Sequence, residues 1–542
     1  MPDQVSSLAP LRNPVFRAVW IASFVSNLGS LIQTVGAAWM MTAISSSVDM
    51  VALVQASLAL PVMLFSIPSG AIADNFGRRN VMLVAQCFML VVSVMLAVSA
   101  YTGTLTPWLL LTYTFLLGCG NALNNPSWGA AVGDMVPKAD IPAAVTLNSM
   151  NYNLCRSVGP ALGGIIVAAA GAVTAFVINA VSYLALIFVL ARWKPALPSS
   201  TLPRETMGAA MSAGLRYLAM SPNIARVMSR ALVFGFATIA TLALLPLIAR
   251  DLLHGGALLY GLLFGAFGMG AVAGALMAAW MRSLLSKENC VRLGFLGFAA
   301  CQATAALSDY SWLTLLAMML GGASWVLTLS LFNITLQLST PRWVVGRVLS
   351  LYQTATFGGM ALGSWVWGLI AEGQGSDTAL LWAAGIALFG LVMGFRWFAM
   401  PSQGELNLDP LDRWPEPSLA LDLKARSGPF RIMVDYMIRE EDVREFLDAM
   451  ADRRRIRRRD GARNWALYRD VQNPQVWTEM YNVPTWADYL RLFQRVTHAD
   501  EAVGERIRKL HRGAEPPKAR RLIERSTANA DFTAAPKELI DP

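Results

Sequence analysis

Twelve apolar runs, each long enough to cross a hydrocarbon layer of ~30 Å, leave this chain few ways to fold. They centre near Ser30, Ala59, Val91, Phe115, Arg156, Ser182, Ala237, Gly268, Gly297, Leu327, Gly358 and Leu388. Within lipid a segment has to satisfy its own backbone polar groups, so runs of this length read as helices. Charge is distributed to match. Residues 1–400 hold 19 Lys and Arg against 11 Asp and Glu, and residues 401–542 hold the other 25 and 24. The chain therefore reads as a membrane part followed by a water-soluble part, and the fold expected is an all-α polytopic membrane protein with a small α+β domain appended.

The loops set orientation. Arg78, Arg79, Lys138, Arg192, Lys194, Arg204, Arg282, Lys287, Arg342 and Arg347 fall on one side, whereas the loops near Ser46, Thr104, Ala172, Gly255, Asp309 and Gly375 are nearly free of cations, Arg250 excepted. The positive-inside rule then places both termini in the cytoplasm. The polar stretch 192–222 separates a first six-helix half (1–191) from a second (223–400). A Pro- and Asp-rich linker follows over 401–428, then a soluble domain over 429–512 and a tail over 513–542 expected to be without structure. The positive excess sits in the membrane part, which argues for an anionic lipid leaflet as its partner and against nucleic acid. Five cysteines inside apolar runs and three histidines show no metal-ligand spacing, so no metal or cofactor is expected.

The halves repeat at an offset of 204 residues: Gly70 with Gly274, Arg78 with Arg282, Pro137 with Pro341, Gly159 with Gly363, and Gly164 with Gly368. Two six-helix halves related by an axis along the membrane normal are a transporter architecture. Between the second and third runs the chain reads Gly70-Ala-Ile-Ala-Asp74-Asn-Phe-Gly77-Arg78-Arg79. This resembles the signature loop of the major facilitator superfamily. The fifth run carries Arg156-Ser-Val-Gly159-Pro160-Ala-Leu-Gly163-Gly164, which is similar to the Gly-Pro helix of that superfamily's exporters. The branch containing relatives of the enterobactin exporter is the one the whole chain resembles. The resemblance implies a gate: Asp74 latching the halves near 346–350, with Gly70, Gly77, Arg78 and Arg79 shaping the loop. Gly159, Pro160, Gly163 and Gly164 then pack and gate without binding substrate.

Candidate lining residues are polar side chains at membrane depth. Arg156 lies about 21 Å into its helix, where an ionisable group is costly and points to function. It is suited to an anionic group on a substrate, or to bracing neighbouring helices. Asn121, Asn125 and Trp128 fall on one helix face. Asn27, Gln33, Asn333 and Gln337 sit on helices that line the central cavity in the superfamily. Polar glue between helices is the alternative role for this set. Buried acids are scarce, and Asp134 is the candidate for proton coupling.

In the soluble domain, Phe430, Ile432, Val434, Tyr436 and Ile438 alternate as in a strand, and Val443, Phe446, Leu447 and Met450 follow at helical spacing. The order β-α-β-β-α that continues from there resembles a ferredoxin-like domain, similar to small monooxygenases of antibiotic biosynthesis, without an evident fourth strand. The arginines at 453–459 read as matching the helix macrodipole. The resemblances imply a secondary exporter of small organic molecules (drugs, siderophores or metabolites) in a bacterial inner membrane, driven by proton antiport. No Gly-x-x-x-x-Gly-Lys-Ser/Thr loop is present to bind ATP. Two alternatives concern the tail: an active oxidising enzyme, or a domain that regulates the transporter or lets it self-associate.

Overall fold

The computed structural model of the chain describes residues 9–137, 140–194, 207–341, 343–396, 398–400, 411, 421 and 423–524. Contacts divide it into two compact units. The first gathers 1–197, 226–335 and 349–400; the second gathers 198–225, 336–348 and 401–542.

The helices are α1 (Pro14–Ile44), α2 (Val48–Phe76), α3 (Arg78–Tyr101), α4 (Pro107–Met135), α5 (Ile141–Arg192), α6 (Met207–Ala219), α7 (Pro222–Leu247), α8 (Ala257–Leu284), α9 (Lys287–Leu307), α10 (Ser311–Leu338), α11 (Val345–Gln374) and α12 (Ser376–Arg396). Local chemistry starts them where the sequence suggests. Asn13 accepts from the Val15 and Phe16 amides at 2.9 and 3.2 Å ahead of Pro14, and Thr106 caps α4 ahead of Pro107. Among the described residues nine helices are long and apolar enough to cross a bilayer, and one of these runs 50 residues, from Ala143 to Arg192. That helix breaks at Gly171, whose φ of 80° suits a residue without a Cβ. Gly77, at φ 83°, makes the equivalent turn between α2 and α3. Val84, Val91 and Val98 line one face of α3 and are each more than half exposed, as a lipid-facing stripe is.

The 204-residue repeat is visible in the packing. Gly159 of α5 lies against Leu31 of α1, and Gly363 of α11 lies against Phe236 and Ile239 of α7. Gly164 meets Gly261 of α8, and Gly368 meets Ala52 and Asp49 of α2. One end of this bundle, the base, carries the 76–78 and 136–141 connections; the opposite end, the crown, carries 44–48 and 252–257.

In the second unit, β1 (Phe430–Met437), α13 (Val443–Asp460), β2 (Arg463–Arg469), β3 (Val476–Val483), α14 (Trp486–Gln494), α15 (His498–Leu510) and β4 (Ala519–Ile523) build one antiparallel sheet in the order β2-β3-β1-β4. The fourth strand corrects two expectations: the sheet does close, and the chain beyond Gly513 is structured through 523. Alternation in Ala519–Ile523 is masked by charge, because Arg520 and Arg521 interrupt the apolar pattern. Most of the expected linker, and residues 525–542, lie outside the described residues.

This unit also contains α6 and the 336–348 connection. Tyr217 of α6 meets Trp343 edge-on at 6.0 Å between centroids. Arg459 lies over Tyr217 at 5.8 Å, Arg495 lies over Trp343 at 4.3 Å, and the Arg216 Nε donates to the Arg459 carbonyl at 3.4 Å. The α13 arginines have a role the sequence reading missed. Glu479 is fully buried, and its carboxylate accepts from Arg453, Arg457, Trp465 and the Tyr436 hydroxyl. Burial opposes ionisation, but the two guanidinium groups and these hydrogen bonds outweigh it and hold the carboxyl at about 2. The signal was available: Glu479 sits at an inward position of β3 between Trp477 and Tyr481. Asp460 behaves oppositely. Burial pushes it up to about 6 although Arg459 contacts it at 2.9 Å, and Asp500 adds a like charge.

Candidate functional site

A cavity of about 420 Å³ lies in the base-side part of the first half. α1 contributes Asn27 and three serines, α3 contributes Gln86, α4 contributes Asn121, Asn124, Asn125 and Trp128, and α5 contributes Asn148, Asn151 and Asn153. α4 offers its amides together because Asn121, Asn125 and Trp128 share a face. Pro126 within α4 also leaves one turn of that helix without its usual donor. Among the described residues, no carboxylate, ammonium, guanidinium or imidazole lines the cavity.

Part of this amide set braces the helices. Asn27 donates to Asn151 at 3.5 Å, Asn151 donates to the Trp20 carbonyl at 3.1 Å, and Gln86 donates to Asn124 at 3.2 Å. Other groups are left over. The Gln86 Oε1 and Asn148 Oδ1 atoms are buried without a hydrogen bond, and Asn121 and Asn125 make none to the described residues.

Asn27, Asn121 and Asn125 thus line one cavity. Gln33 does not: it is buried and accepts from Ser93 at 2.8 Å and Asn179 at 2.6 Å, tying α1 to α3 and α5. Asn333 is half-buried and Gln337 exposed, and neither is among the cavity-lining residues. Arg156 also lies outside the cavity. Its guanidinium reaches from α5 into the second half, over Phe267 of α8 at 5.4 Å and Trp325 of α10 at 5.6 Å. It has no ion pair among the described residues. The aromatic pair could not be assigned to it from sequence, because both rings come from the other half.

The loop between α2 and α3 anchors the base. Arg78 pairs with Asp134 at 2.9 Å, and Arg79 donates to the Leu190 and Ala191 carbonyls at the end of α5. Asp134 therefore sits at the base beside Arg78, apart from the cavity. Gly70 and the Asp74 side chain lie outside what the structure describes.

The crown is closed between halves. Ser157, Ala161 and Gly164 of α5 face Gly268, Gly265 and Gly261 of α8, a ladder of small residues that brings the backbones into contact. A Cβ on Gly164 would stand 2.7 Å from the Gly261 Cα and 2.9 Å from the Ala257 carbonyl. Trp39 stacks on Tyr260 at 6.2 Å. Arg250, the one cation expected on this side, donates to Asp251 at 2.6 Å and to the Thr42 carbonyl at 3.2 Å. Glu372 of α11 accepts from the Ser47 hydroxyl and from the Val48 and Asp49 amides, capping the N-terminus of α2.

Residues 5–528 match the family model described as transmembrane secretion effector. The staphyloferrin A transporter of Staphylococcus aureus is 29% identical over 163 residues, which cover 30% of this chain and 41% of that protein. The match thus spans less than half of that relative. The enterobactin exporter EntS of Escherichia coli is 26% identical over 392 residues, 70% of this chain and 90% of that protein. Among solved structures, the nucleoside transporter NupG superposes with a TM-score of 0.58 at 13% identity, covering 70% of this chain and 98% of that one. A bacterial homologue of the human lysosomal transporter Spinster gives 0.56 at 13% identity, with 71% and 96% covered. At such identities the likeness speaks to the fold alone.

Proposed function

The chain belongs to the transmembrane secretion effector family of major facilitator transporters, and from that premise we propose that it exports a small organic molecule by alternating access. The observation that carries this reading is the pairing of an amide-lined cavity with a crown sealed between halves. A carrier needs a central site that one closed gate shields and an interface able to part. In this reading twelve helices cross the membrane: the long α5 counts as two crossings about Gly171, and the more polar α4 and α11 each count as one. On the same reading the cationic loops put the base on the cytoplasmic side, so the sealed crown is the outer gate. The membrane in this reading is a bacterial inner membrane; the enterobactin exporter that the chain resembles is from Escherichia coli.

Arg156 takes an anionic group of the substrate as it passes between halves, where its aromatic neighbours stabilise the cation without neutralising it. Proton antiport is the energy source, with Asp134 the coupling candidate: it pairs with Arg78 at 2.9 Å, a contact that has to part when the loop rearranges. Inverted membrane vesicles test this reading. A proton gradient should drive substrate uptake that a protonophore abolishes, and Arg156→Ala should remove it with membrane insertion unchanged. Uptake that persists in the variant removes Arg156 from the mechanism, and uptake indifferent to the protonophore removes the antiport.

For the tail, a regulatory role is favoured over catalysis. The strand order and β-α-β-β-α-β succession support a ferredoxin-like domain. Its α13–α15 side is joined through Arg459 and Arg495 to Tyr217 and Trp343, on the connections between the halves and between α10 and α11. A domain gripping these two connections is placed to bias the transport cycle. Turnover of a quinol with oxygen by the tail would revive the enzyme reading, and a change in particle mass on deleting it would indicate self-association.

A further inference from the structure

The cavity in the first half says more about its ligand than size does. Amides supply most of its polar wall, with serine hydroxyls and the Tyr152 phenol beside them, and among the described residues no lining group carries a formal charge. Burying a cation there would leave it without a counter-ion to offset its lost hydration. A lipophilic cation is therefore a poor fit. A wholly apolar ligand is a poor fit too, because it would strand the Gln86 Oε1 and Asn148 Oδ1 atoms, which already lack partners. Gln86 is 2% exposed, so bulk water does not relieve it.

Amide groups present a donor and an acceptor side by side, whichever way each is turned. The ligand group that answers both roles at one atom is a hydroxyl. Neighbouring hydroxyls on a rigid ring match the spacing of one amide. Asn121 and Asn125, one helical turn apart and unpaired among the described residues, offer two such forks, and Trp128 at the next turn supplies a flat apolar face for the ring's C–H side. A volume of about 420 Å³ lies within the range of small-molecule sites.

We infer that this cavity binds an uncharged, hydroxyl-rich moiety, a cyclic polyol or sugar-like group, and that the transported molecule carries one. This rests on the transporter reading and names the substrate chemistry of its site. An anionic group elsewhere on the same molecule is free to engage Arg156.

The test uses the full chain in phospholipid nanodiscs, freed of sugar-headed detergent, with myo-inositol, methyl β-D-glucopyranoside and tetraphenylphosphonium as probes. Thermal unfolding and tryptophan fluorescence are the readouts. The polyols should give saturable shifts, weakened at least tenfold in Asn121→Leu and retained in Gly385→Ala, where an added methyl meets nothing within 4 Å. Asn125→Asp, which keeps the shape and adds a charge, should create a response to tetraphenylphosphonium that the wild type lacks. A wild-type response to the cation that Asn121→Leu abolishes overturns the polyol assignment and leaves the transporter reading standing. A monodisperse, cooperatively unfolding protein that ignores both polyols overturns the assignment as well. Failure of the transporter reading would show separately, as absence of gradient-driven uptake of any solute in vesicles.

Discussion

Gly164→Ala is the substitution for which the structure gives the plainest forecast. The added methyl would stand 2.7 Å from the Gly261 Cα and 2.9 Å from the Ala257 carbonyl, both backbone atoms that no rotamer can move aside. Ordinary carbon contacts lie near 3.5–4.0 Å, so α5 and α8 must separate by about 1 Å or bend. Overpacking of this kind costs about 1–3 kcal/mol. The gain of roughly 0.5–1 kcal/mol from alanine's helix propensity applies whether the crown is shut or open, so it cancels between the two states. The sealed state therefore loses by about 5- to 150-fold in population relative to the open one. The assay is labelling by a membrane-impermeant maleimide of Ala257→Cys, in a background without the five native cysteines. Ala257 is 6% exposed, so the residue reports crown opening. Labelling should accelerate in Gly164→Ala and stay unchanged in Gly129→Ala, where a Cβ meets nothing within 4 Å. Equal rates in the two variants, with equal thermal stability, would falsify the idea that this ladder holds the crown shut.

Other outcomes follow from the same contacts. Glu372→Ala removes the carboxylate that caps α2 from α11 and should weaken crown closure by about 0.5–2 kcal/mol, read by the same labelling. The tail should show a two-signed response to acid. Asp460 sits above its ordinary 3.8, so its ionisation opposes folding, and stability should rise by on the order of 2–3 kcal/mol as pH falls through about 6 toward 4. Glu479 sits below its ordinary 4.5, so its contribution is complete above that pH and is lost as pH falls toward about 2. Hydrogen exchange of residues 430–523 in the full chain, between pH 7 and 3, should pass through a maximum in opening energy once corrected for intrinsic rates. Asp460→Asn should abolish the rise, and a monotonic decline in the wild type would contradict the assignment. Arg495→Ala loses both its position over Trp343 and its 2.5 Å bond to the Asp460 carbonyl, so exchange in 207–219 and 336–348 should quicken severalfold. Unchanged protection there would mean that the joint rests on Tyr217 alone.

The sequence by itself determined the solvent of each region, the helices and the duplication. These are matters of composition and period: apolar length against a fixed bilayer thickness, and glycines recurring at one offset. It also put Asn121, Asn125 and Trp128 on one face, because residues about one turn apart on a helix share a face whatever the fold around them. Tertiary structure alone decided which polar residues were already spent. Gln33 and Asn27 look alike in the chain, yet Gln33 is consumed by Ser93 and Asn179 while Asn27 faces a cavity. Arg156 was visible as a costly cation, but its partners Phe267 and Trp325 arrive from the second half. Glu479 was hidden among many acids until the sheet turned it inward onto Arg453 and Arg457. Periodicity fixes which face a side chain occupies, whereas what that face meets depends on segments more than a hundred residues away, and only folding brings those together.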